Sequence, residues 1–310
     1  MTSLLALASI GFIYLISIDD EHPSTLVGME DLVTLASYFI PSSFLILLYF
    51  SFRNEIYLYW DQMYEASRTT ITYKDGLVSG PIYNGDLLLY NTVWLENYSL
   101  FFLTILSLVN IHKLKNQVLG YVNLIFSTIA ICFYLFLTLY ILGVLRDNYL
   151  GNTENHVYPH SSFNLWIRYI SLAFFGTLLY SCYKNTRQGL LKLDLRIHFD
   201  LLLHLSLVWI LSTELVTWMN IGGSAQSYKL GLSILWGVYS LFLISLGIWK
   251  MKKHLRIGAI ALFTATLGKL FFYDLKELNT MSKTIVFVSL GVLLLIISFL
   301  YNKYKNIISD

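Results

Sequence analysis

Residues 255–301 constrain the chain most: RIGAIALFTATLGKLFFYDL, a short polar turn, then KTIVFVSLGVLLLIISFLY. A helix crosses the hydrocarbon core of a bilayer in about 20 residues, and each half of this stretch is apolar over that length. The pair reads as a membrane hairpin, and looser copies of the same unit precede it.

Composition agrees with the hairpin. The 310 residues are 56% hydrophobic and 13% charged, against the roughly 25% charged of an ordinary soluble domain. Apolar runs at 2–18, 32–52, 93–111, 118–145, 165–183, 197–219 and 230–249 come before the hairpin. The expected fold is all-α: one polytopic transmembrane helix bundle of about nine helices over residues 1–310, with the lipid bilayer as its first partner. The opening run is short and lacks a basic leader segment, so the chain reads as a short form or a piece of a longer protein. Pro41 is expected to kink the second span. The longest polar stretch, 53–91, carries Gly76, Gly80, Pro81 and Gly85 and is expected to be an extracytoplasmic loop. Cys132 and Cys182 lie inside apolar runs and read as free thiols, not a disulfide. A formal charge of +2 without a basic run argues against a nucleic-acid partner.

Loop charge sets the orientation. Lys113, Lys115, Lys184, Arg187, Lys192, Arg196, Lys250, Lys252, Lys253, Arg256, Lys303 and Lys305 fall on one side; only Arg53, Arg68, Lys74, Arg146, Lys229, Lys276 and Lys283 fall on the other. Lysine and arginine resist translocation, so the richer side, with the C-terminus, is expected in the cytoplasm.

Two echoes reveal the repeat. Arg168, Lys229 and Lys283 open three successive odd-numbered spans, and each is followed eight residues later by Gly176, Gly237 or Gly291. The string Leu-Arg-Ile occurs at 195–197 and 255–257, and Glu214 or Asp274 follows the arginine by eighteen residues. Eighteen residues are about five helical turns, which puts each arginine and its carboxylate on one face. Residues 195–301 therefore read as two parallel hairpin repeats. The basic residues either snorkel to the interface or gather to hold an anionic ligand; the glycines permit close helix packing.

Polar groups inside the spans carry the remaining chemistry. Arg196, Asp200, His204 and Glu214 fall within about 80° of one another on a helix and form a stripe expected to face the bundle or a wet cavity. Asp200, His204 and Glu214 form a candidate polar pathway. The pair Asp200 and His204 suits structural pairing, a proton or ion route, or metal ligation. Arg168, Lys229, Lys269, Asp274 and Lys283 form a candidate cluster on the outer side. Asp274 ends one helix against its dipole and is expected to pair with Lys283 across the turn. His156 and His160 stand in a loop where Pro159 opposes a shared helix, so they make a poor metal site. No phosphate-binding loop, nucleophile elbow, zinc-protease pair or dinucleotide fingerprint occurs, so no cofactor is expected and an enzyme is disfavoured.

The string LGKLFFYDLKELNTMSKTIVFVSLGVLLLIISFLYNKY, preceded by SYKLGLSILWGVYSLFLISLGI, resembles the C-terminal part of an uncharacterised bacterial family of predicted multi-pass membrane proteins, domain of unknown function 2339. Lys269, Asp274, Lys283 and Gly291 occupy its pattern of lysine, aspartate, a basic residue and a glycine in the last helix. Lys283 stands where arginine is expected, which keeps charge and loses bidentate geometry. The resemblance implies a bacterial cytoplasmic membrane location and supplies no activity. Three function classes follow from the residues. A transport or ion-conducting protein is favoured by the polar stripe and the repeats; a non-catalytic scaffold or assembly subunit, with a membrane-protein partner, needs no polar route. A membrane enzyme acting on lipid-linked saccharides would use Asp19, Asp20 or Glu21.

Overall fold

The computed structural model describes residues 11, 30–70, 80–151, 158, 161–189, 191–223, 228–270 and 280–303. Over these residues the chain is helical apart from short turns and one isolated bridge, Thr69 to Ile82. Eight helices follow one another: α1 Glu30–Ala66, α2 Gly85–Leu114, α3 Gln117–Tyr149, α4 Phe163–Arg187, α5 Arg196–Ile221, α6 Tyr228–Trp249, α7 Lys253–Lys269 and α8 Thr280–Lys303. Among the described residues five of them, α2 to α6, are long and apolar enough to cross a membrane. The all-α bundle stands, but about nine spans is more than the described residues carry. Of the run at 2–18 only residue 11 is described, and the described part of α7 covers 17 residues.

The stretch 53–91 requires a correction. Arg53 to Ala66 continue α1, and α2 begins at Gly85, so residues 53–66 and 85–91 are helical and not loop. Charges and turn glycines suggested a loop from Arg53 onward. Yet the glycines and Pro81 all fall after residue 75, whereas 53–66 carries no residue that stops a helix. Charged residues there end the apolar run without ending the helix. Pro41 likewise sits within α1 and does not terminate it.

The chain forms two compact units, residues 1–102 and 103–310, where a single domain was expected. Their boundary falls within α2, and no change of composition marks it. Among the described residues of the first unit, α1 and the start of α2 form an antiparallel pair held by aromatic rings. Tyr49 stacks on Tyr98 with ring centres 5.5 Å apart, its hydroxyl lies 2.8 Å from Ser99 Oγ, and the Tyr98 hydroxyl donates to the Tyr49 carbonyl at 3.2 Å. Nearer the turn, Tyr64 stacks on Tyr83 at 4.9 Å.

The second unit turns its apolar side chains outward as well as inward. Phe126, Phe136, Tyr140, Trp166, Leu205 and Trp218 are exposed, while Asn123, Ser127, Asn164, Ser171, Asn185 and Ser206 are buried. That distribution suits hydrocarbon outside, where polar groups between helices act as glue. Asn110 closes the α2–α3 turn, its amide donating to the Asn116 carbonyl at 2.9 Å and its oxygen accepting from Asn116 N at 3.0 Å. Two asparagines clamp α4 along α3: Asn164 Nδ2 donates to the Leu145 carbonyl at 3.1 Å, and Asn185 Nδ2 to that of Gly120 at 3.2 Å. Between the clamps, buried Tyr134 stacks on Phe175 at 4.4 Å. Tyr134 opens a π-helical turn, Tyr134–Thr138, inside α3.

α6 is the centre of the remaining helices, with α5, α7 and α8 all packed against it. Close approach depends on glycines other than those of the repeat. A Cβ at Gly247 would meet Arg256 Cγ at 2.7 Å and Arg256 N at 3.0 Å; one at Gly231 would meet Leu215 Cδ2 at 3.1 Å. At Gly176 and Gly291 it would meet nothing within 4 Å, so neither provides the close packing expected of it.

Candidate functional site

The stripe on α5 is resolved into separate contacts by the helices around it. Asp200, in the second turn, is 7% exposed. Lys252 Nζ donates to its Oδ2, His254 Nε2 lies 3.1 Å from the same oxygen, and Arg187 Nη2 is 4.0 Å from Oδ1. One carboxylate therefore ties the end of α4, the α6–α7 turn and the start of α7 to α5. Lys252 and His254 reach it because Met251 adopts a left-handed conformation, φ 54°, that folds the chain back sharply after α6.

His204, one turn deeper, does not hydrogen-bond to Asp200; its Nδ1 lies 2.9 Å from the Tyr239 hydroxyl on α6. Two turns further, Trp236 Nε1 donates to Ser212 Oγ at 2.8 Å. Glu214 accepts from Nε of Arg168, which is 3% exposed. Arg196, although in register with the stripe, is exposed and lies 3.7 Å from Asp194. The i,i+4 spacing could not show that partners on α4, α6 and α7 outcompete contacts along α5.

The outer-side cluster is divided as well. Lys269 Nζ donates to the Lys229 carbonyl at 3.1 Å and to Ser233 Oγ at 3.0 Å, which joins α7 to α6. Arg168 belongs with Glu214, so the sequence's two candidate groups exchange a member. Lys283 lies in the first turn of α8. Asp274, and with it the pairing to Lys283, lies outside the described residues, as do Asp19, Asp20, Glu21, His156 and His160. Among the described residues no three histidine, cysteine, aspartate or glutamate side chains gather as a metal site.

Sequence reading missed Arg146. It was counted as a loop charge, yet it is buried at 8% exposure, donates to Asp147 Oδ1 from Nε at 2.9 Å and from Nη2 at 2.7 Å, and reaches Thr217 Oγ1 on α5 at 3.3 Å. The signal was available: Arg146 lies one helical turn beyond Leu142 on the buried face of α3. Arg146 and Arg168 both line a cavity of about 390 Å³ between α3, α4, α5 and α6.

The model of a family described as "Predicted membrane protein (DUF2339)" matches residues 29–304. Neither a curated protein nor a solved structure matches the chain.

Proposed function

We propose a transport role for this chain, which belongs to the DUF2339 family of predicted membrane proteins: a proton or small ion passes along the seam that α5 makes with its neighbours. The observation that carries this reading is the placement of Asp200, His204 and Glu214 on one helix, each hydrogen-bonded to a side chain of another helix: His254 on α7, Tyr239 on α6 and Arg168 on α4. Asp200 and Glu214 stand about 21 Å apart along the axis, a large share of the roughly 30 Å core. Ionisable groups at such depth are costly and are kept where they act. Between them, fully buried Ser206 has an Oγ without a hydrogen-bond partner among the described residues.

The scaffold reading draws on the same contacts. Each carboxylate already has a cationic partner, and ion pairs between helices hold a bundle without conducting anything. Flux separates the two readings. In vesicles containing the purified protein and an internal pH dye, an imposed gradient is expected to decay faster than in empty vesicles. Asp200→Asn and Glu214→Gln should each slow that decay by about tenfold or more while the protein stays monodisperse. No flux above empty vesicles, or normal flux in both variants, sinks the transport role and favours the scaffold.

The membrane is proposed to be the bacterial cytoplasmic membrane, with the C-terminus and the α6–α7 turn on the cytoplasmic side, because those segments hold the basic excess. A cysteine at Lys253 should resist an impermeant maleimide in intact cells and react after permeabilisation. Labelling in intact cells reverses the orientation.

A further inference from the structure

The cavity between α3, α4, α5 and α6 has a polar end and an apolar end. Arg146 and Arg168 line it together with Thr217, whereas Leu139, Val208 and Trp209 line the part reached further along the helices. Thr217 lies one turn from the end of α5, and Val208 about 13 Å deeper along the axis. The arginines therefore sit near the membrane surface and the apolar walls lead toward its middle. This is the order of groups in a lipid: charged head at the interface, hydrocarbon inward.

Among the described residues Arg168 lacks an acceptor at Nη2, and the acceptor of Arg146 is a replaceable one. A guanidinium has five N–H donors. Glu214 takes the Nε donor of Arg168, and the buried Nη2 has no hydrogen-bond partner among the described residues. Arg146 is neutralised by its chain neighbour Asp147, whose side chain is 38% exposed. An ion pair with so exposed a partner is weak and replaceable. Gly143 also lines the cavity, and a Cβ there would meet nothing within 4 Å, so the missing side chain leaves open space in the wall.

We propose that this cavity binds one anionic phospholipid, its phosphate held by Arg146 and Arg168 and one acyl chain lying along Val208, Trp209 and Leu139. Phosphate oxygens suit guanidinium donors, and the cavity volume lies in the range of ordinary ligand pockets. Binding does not depend on ion movement along α5; either property can fail while the other stands.

Native mass spectrometry of the full chain in detergent tests it, with dioleoyl phosphatidylglycerol, dioleoyl phosphatidylcholine and inorganic phosphate as separate probes. The expected result is one phosphatidylglycerol adduct, bound at least about tenfold more tightly than phosphatidylcholine. Gly143→Leu should remove that adduct by filling the cavity while both arginines are kept. Arg146→Gln should erase the preference for phosphatidylglycerol, and Arg146→Lys should retain part of it. Gel filtration identifies variants that have lost their fold; Arg146→Lys, which retains the charge, and Gly143→Leu, which retains both arginines, keep the comparison decisive. Equal binding of both lipids overturns the proposal, as does an adduct indifferent to Gly143→Leu. If inorganic phosphate competes as effectively as phosphatidylglycerol, the site takes a free anion and the lipid is refuted.

Discussion

Replacing Arg168 with methionine is expected to destabilise the protein by about 3–5 kcal/mol, because Glu214 then stays in the bundle without its cation. The pair joins α4 to α5, and the arginine side chain is 4% exposed against 18% for the carboxylate. Desolvating both charges is expensive, so the pair as a whole contributes far less than the loss of one partner costs. The second half of the expectation follows from this. Arg168→Met with Glu214→Leu should recover most of the stability lost by Arg168→Met alone. Unfolding in a denaturing detergent, followed by far-ultraviolet circular dichroism, measures all three variants. Agreement of the double variant with the sum of the single changes to within about 0.5 kcal/mol would falsify an energetic coupling between the two residues.

Gly247→Ala is the second large effect, about 1–3 kcal/mol of destabilisation from one added methyl group. The new carbon would stand 2.7 Å from Arg256 Cγ, 3.0 Å from Arg256 N and 3.2 Å from Leu255 Cβ. The arginine stem can swing aside, but the backbone nitrogen of α7 cannot, so α6 and α7 must part. Gly258→Ala provides the comparison, since its Cβ would meet nothing within 4 Å. That change should be neutral, or stabilise by up to about 1 kcal/mol through the lower entropy cost of alanine in a helix. Equal midpoints for the two variants in the same unfolding assay would show that the α6–α7 crossing is not tight.

How much of this was legible in the sequence depends on the kind of interaction. The apolar runs located α2 to α8, since hydrocarbon leaves a chain few alternatives to a helix whose backbone satisfies itself. Where α1 ends was not legible. Arg53 ended the apolar run, and hydropathy cannot distinguish a helix leaving the bilayer from a loop. The turns after α2 and α6 were not legible either: Lys115 and Met251, with φ of 51° and 54°, occupy positions that glycine usually marks. The repeat singled out Gly176 and Gly291, whereas close approach falls at Gly231 and Gly247, because periodic spacing records a helix face and says nothing of which neighbour comes nearest. Asp200, His204 and Glu214 lie on α5, and their side-chain hydrogen-bond partners lie 35 to 54 residues away. Partner choice at that separation belongs to packing, which no local pattern encodes.

The central position of α6 also has a consequence for synthesis. A ribosome delivers α5 and α6 to the membrane before α7 exists, yet two of the helices that cover α6 follow it in the chain. Until α7 arrives, Ser233 lacks the ammonium of Lys269, Asp200 lacks His254, and the surface around Gly247 faces lipid. The nascent chain must therefore shelter a half-finished helix while α7 and α8 are translated, at the stage when an insertase or a second chain can most easily reach it.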